Sequence, residues 1–98
     1  MGIAFTPQGG VKEFDNSYGV SMTYTNAWCV GDAIGVDGLK EYSGSMPTVD
    51  LLVKCRSYIQ SRHNNPVVEG FDPLSRVESL YNLCRQAIKQ KQPIIGWG

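Results

Sequence analysis

Residues 72–92, DPLSRVESLYNLCRQAIKQKQ, are the segment in which a start signal, an apolar period and a stop signal agree. Asp72 can cap the first turn with Pro73 at its first position, or Ser75 and Glu78 can form a capping box one turn later. At about 100° per residue, Val77, Leu80, Tyr81, Cys84, Ala87 and Ile88 share one stripe, while Glu78, Asn82, Gln86 and Lys89 face away. Lys89 and Lys91 oppose the negative end of the helix dipole, and Pro93 forbids continuation. The stretch therefore predicts an amphipathic helix that lids an apolar core.

A second helix is expected just upstream. Residues 48–63 gather Leu51, Leu52, Cys55, Tyr58 and Ile59 on one side, and Asn64-Asn65-Pro66 ends them, with Asn suited to a left-handed C-terminal position. Val67, Val68 and Phe71 read as a short apolar connector. Beyond the organising helix, PIIGWG (93–98) is too short for a helix but apolar enough to pack as a last strand.

The first half reads as antiparallel sheet. Residues 3–7 and 11–15 flank Gln8-Gly9-Gly10 as one hairpin. Residues 18–25 alternate strictly, with Tyr18, Val20, Met22 and Tyr24 on one face. Residues 28–36 and 39–42 flank Asp37-Gly38 as a second hairpin, in which Gly31 and Gly35 mark a bulge or a close backbone approach, and residues 43–47 form a loop. The expected fold class is α+β: about five antiparallel strands followed by two helices that cover the sheet.

Ninety-eight residues make one domain, and no apolar run approaches the ~18 residues a membrane span needs. No basic n-region precedes an apolar stretch, so the expectation is cytosolic residence; Met1-Gly2-Ile3-Ala4-Phe5-Thr6 fits a short myristoylation pattern without a second membrane signal beside it. Nine basic and nine acidic side chains cancel, which argues against generic polyanion binding. They are unevenly placed. Residues 1–50 hold six acidic and two basic side chains, residues 51–98 seven basic and three acidic.

Three cysteines without CxxC or Cys/His ligand spacing predict neither a disulfide nor a metal site, and no cofactor fingerprint is present. Three constellations bear on function. Cys29, with His63 and the adjacent Asn64 and Asn65, would suffice chemically for a cysteine hydrolase, though no local signature surrounds the thiol. Gly31 to Gly38, GDAIGVDG, lacks both phosphate-loop spacings and carries Asp32 and Asp37, which repel phosphate. The third is a basic helical surface: Arg85 and Lys89 one turn apart on the second helix, and Lys54 and Arg56 on opposite shoulders of the first. Tyr58 and Tyr81 fall on apolar stripes, so stacking platforms for nucleic acid are not identifiable, and a nucleotide-like anion or an acidic protein partner suits this surface better. Val49 and Val53 lie off the main stripe of the first helix, to be covered either by the tail through Ile95 and Trp97 or by another chain. The expectation is a non-catalytic inhibitor or sequestering accessory protein, oligomeric, of the kind phages and viruses encode.

Overall fold

The structure is a computed structural model, and it describes residues 2–15, 19–66 and 70–98. Its elements run β1 (Gly2–Gln8), β2 (Val20–Thr23), α1 (Tyr24–Ile34), a 3-10 turn (Asp37–Glu41), β3 (Gly44–Pro47), α2 (Thr48–Asn64), α3 (Leu74–Lys89) and β4 (Ile94–Trp97). The α+β class holds, with a four-stranded antiparallel sheet of order β2-β1-β4-β3 and three α-helices where five strands and two helices were expected.

The sheet has a core face and a solvent face, as antiparallel alternation allows. On β1, Ile3, Phe5 and Pro7 are buried while Ala4, Thr6 and Gln8 are exposed. Register places Ile3 opposite Met22, Phe5 opposite Trp97 and Pro7 opposite Ile95, so all six side chains stand on the same face. The Trp97 indole N–H donates to the Gly38 carbonyl at 3.1 Å, which gives the one polar atom of a buried ring its partner. The C-terminal strand was expected, and it lies at the centre of the sheet: Ile95 is fully buried between β1 and β3.

Both C-terminal helices form as expected and pack on each other more extensively than any other pair of elements. α3 buries Val77, Leu80, Leu83, Cys84 and Ala87. Its stripe is rotated toward Leu83 from the expected centre, which leaves Ile88 44% exposed. The Asp72 carboxylate accepts from Leu74 N at 3.0 Å and pairs with Arg62, whose Nη2 reaches Asp72 Oδ2 at 3.2 Å while Nη1 also donates to Tyr58 Oη at 3.3 Å. These contacts, the Arg62 hydrogen bond foremost, hold the carboxyl below its ordinary range. Asp72 thus anchors both the start of α3 and the end of α2. α2 stops at Asn65 with φ −131°, not in a left-handed cap, because Pro66 restricts the residue before it to extended conformations.

The expected hairpins are absent among the described residues. β1 turns to β2 and β4 for its partners, and residues 11–15 form no strand. Residues 28–34 of the expected strand belong to α1: Thr23 accepts from Asn26 N at 3.2 Å as N-cap, and Ala27, Val30, Gly31 and Ile34 form a buried i, i+3, i+4, i+7 stripe. Gly35 closes the helix at φ +75°, so it is a C-cap and not a bulge. Gly31 does mark a close approach, since a Cβ there would lie 2.8 Å from both Leu39 Cβ and Val36 O. The Asp37-Gly38 pair opens the 3-10 turn, and the loop expected at 43–47 supplies β3, whose Gly-Ser-Met-Pro sequence has little strand preference but finds its ladder partner in β4. Tyr18, Val67 and Val68 lie outside the described residues.

Candidate functional site

The site begins with how α3 ends. Gln92 N donates to Ala87 O at 2.8 Å and Lys91 N to Ile88 O at 3.0 Å, the paired bonds of a Schellman cap. That cap requires a left-handed residue, usually Gly, yet the position is held by Lys91 at φ +58°. A side chain there costs about 1 kcal/mol or more relative to an ordinary conformation. The turn delivers Gln92 into the interior, where it is 2% exposed.

Gln92 is the joint of three segments. Its carboxamide oxygen accepts from Gly10 N at 2.8 Å, its Nε2 donates to the Lys12 carbonyl, and its own carbonyl accepts from the buried Thr48 hydroxyl at 2.7 Å. Gln90 Oε1 accepts from Asp15 N at 2.8 Å. The segment after β1 is therefore fastened to the α3–β4 turn by two carboxamides, with the start of α2 alongside. A buried amide with both ends satisfied orders its surroundings, and losing one partner would leave a desolvated polar group.

Between these three segments lies a groove of about 710 Å³, lined by Gly9 to Lys12, by Thr48 and Val49, and by residues 88–93. Val11, Val49 and Ile88 supply exposed apolar surface, 105%, 58% and 44% respectively. Lys12, Lys89 and Lys91 supply charge, and among the described residues no carboxylate lines the groove. Lys89 also borders a neighbouring hollow of about 330 Å³ with Asn82, Arg85 and Gln86, so the basic surface continues along α3.

Of the residues singled out from sequence, Arg85 and Lys89 share that hollow, and Lys89 meets Val49 around the groove. Lys54 stands apart, lining a separate depression with Trp97, and Arg56 is an exposed residue that lines neither the groove nor the α3 hollow. The tail does not cover Val49 and Val53: Ile95 and Trp97 turn into the core, and the valines remain 58% and 49% exposed. Lys12, Lys91, Thr48 and Gln92 were missed. No local pattern announces a carboxamide whose partner is 82 residues away, but a lysine where a helix C-cap wants Gly was a readable signal.

Cys29 lies in mid-α1, half-buried, and His63 is exposed in the last turn of α2, with no hydrogen bond between them. Burial pushes the Cys55 thiol up to about 12 and raises that of Cys84, to which the nearby Cys55 adds. Gly31 to Ile34 lie within α1, so the glycine-rich stretch presents no open loop to a phosphate. Among the described residues no group of three His, Cys, Asp or Glu side chains could hold a metal ion, and no helix is long and apolar enough to cross a membrane. Compared with protein-family models, curated proteins and solved structures, the chain matches none of them.

Proposed function

We propose that this is a non-catalytic binding protein whose groove at the α3–β4 turn takes an acidic protein segment bearing an apolar side chain. The observation that carries the reading is the lining: among the described residues, three lysines and no carboxylate around an apolar floor. An apolar side chain seated against Val11, Val49 and Ile88 removes surface from water, while flanking carboxylates meet Lys12, Lys89 and Lys91 and fix its register. A lysine at the left-handed position of the cap agrees with this, because the strained turn holds the Lys91 charge at the rim of the groove. A nucleotide-like anion fits less well, since among the described residues no aromatic ring lines the groove for base stacking.

The test is titration of a labelled peptide carrying Asp and Glu around one Leu, beside its Asn/Gln analogue and mono- and dinucleotides. Binding of the acidic peptide should weaken with rising salt, and less steeply in Arg85→Gln/Lys89→Gln, whose folding should stay within about 0.5 kcal/mol of the parent. Equal affinity for the acidic and amide peptides would remove the basic surface from the reading.

A further inference from the structure

We propose that the acidic occupant of the groove is a second copy of this chain, presenting the α1 and 3-10 surface around Trp28. This rests on the reading of the groove given above and names its partner. Trp28 is 44% exposed on α1, and Asp32 stands one turn further along the same side. Asp37 and Glu41, at either end of the 3-10 turn, are also exposed. Lys40 pairs with Asp32 at 3.0 Å and with Asp37 at 3.8 Å and sits 4.7 Å from the Trp28 ring centre, so one cation faces two carboxylates and the surface keeps a net negative charge. An exposed indole flanked by surplus carboxylates is the chemistry that an apolar groove rimmed by lysines accepts, and buried aromatic anchors of this kind dominate interface energies.

The two surfaces share no residue, so one copy can use both at once. The charge distribution favours this pairing over like-to-like contact: the lysines around the groove and the carboxylates around Trp28 attract across copies, while zero formal net charge leaves no overall repulsion to oppose approach. Such a contact is head-to-tail, which leaves a free groove at one end and a free indole at the other, so assembly proceeds to rings or chains.

Sedimentation velocity at low and high salt, over a range of concentrations, tests this with three proteins whose folding is checked by thermal melts. The parent should gain mass with concentration at low salt and return toward the monomer at high salt. Lys89→Glu/Lys91→Glu and Asp32→Lys/Asp37→Lys should each stay monomeric alone, yet associate when mixed, because each keeps one native surface and the reversed pair is also complementary. Trp28→Ala should weaken parent association at least ~10-fold. Should the Glu variant fail to fold, Lys89→Gln/Lys91→Gln takes its place and should still lower the mass. A monomeric parent, or a mixture as monomeric as its components, overturns the proposal. Association that both variants retain points to a like-to-like contact through Val49 and Val53 and overturns it too. A monomeric parent that still binds the acidic peptide removes only self-pairing; loss of both association and peptide binding removes the groove reading with it.

Discussion

α1 and α3 solve the same packing problem with opposite materials. α3 fills its buried stripe with volume, Leu80 and Leu83 among them, against α2 and the sheet. α1 buries Ala27 and Gly31 beside Val30 and Ile34, and the space those small residues leave is taken by Leu39 of the 3-10 turn, whose Cβ comes within 2.8 Å of where a Gly31 Cβ would be. One helix is held by what its side chains occupy, the other by how closely its backbone lets a neighbour approach. The difference predicts opposite sensitivities, since α3 should suffer from loss or charge and α1 from any added atom.

Leu80→Asp tests the first half of that contrast and has the largest expected effect. An unpaired carboxylate at a fully buried position should remove at least about 3 kcal/mol, seen as a lowered denaturation midpoint or loss of soluble protein, while Asn82→Asp on the exposed face should melt like the parent. If the two behave alike, the burial assignment of α3 is wrong. Gly31→Ala tests the second half: overpacking against Leu39 and the Val36 carbonyl should cost about 2 kcal/mol, even though alanine is the better helix former. A stabilised Gly31→Ala would break the comparison.

Smaller effects sharpen it. The buried α3 thiol Cys84 and its neighbour Cys55 on α2 are kept neutral by the fold. A raised folded value contributes stability below the unfolded value near 9 and loses it as pH climbs toward about 12. Denaturation midpoints should therefore fall above pH ~9, by on the order of 1 kcal/mol at pH ~10, and Cys55→Ala should flatten that limb. Lys91→Gly should stabilise the cap of α3 by about 0.5–1 kcal/mol while weakening acidic-peptide binding, a split that a purely structural lysine would not produce. Cys29 on α1 should alkylate near neutral pH no faster than a small-molecule thiol. Faster labelling that vanishes in His63→Ala would instead support the cysteine-hydrolase alternative.

These contrasts explain what could be read from the chain. α2 and α3 were legible because large apolar residues recur at helical spacing and their ends carry Pro and Asn. α1 was not, although Thr23, the Ala27 to Ile34 stripe and Gly35 spell a capped helix, because Val30, Ile34 and Val36 also alternate and two glycines discount a helix on propensity alone. Of the residues that line the groove and the adjoining α3 hollow, Arg85, Lys89 and Val49 were singled out from helical faces. Lys12 and Gln92 were not, since a loop far away in sequence determines what they touch.

The amino-acid sequence by itself determined the local terms: an α+β class, a helix over 48–63 and another within 72–92, an alternating segment that contains β2, an apolar final strand, and a chain split into an acidic and a basic half. Those follow from periodicity, capping and charge, which act over one or two turns of chain. Only the tertiary structure decided that β4 would lie between β1 and β3, that a Gly-Ser-Met-Pro segment would become a strand, that residues 24–34 would be helix, and that Lys12, Val49, Lys89 and Lys91 would surround one groove. Each of those depends on hydrogen bonds or contacts between residues far apart in the chain, whose free energy exists only once the partner is already in place.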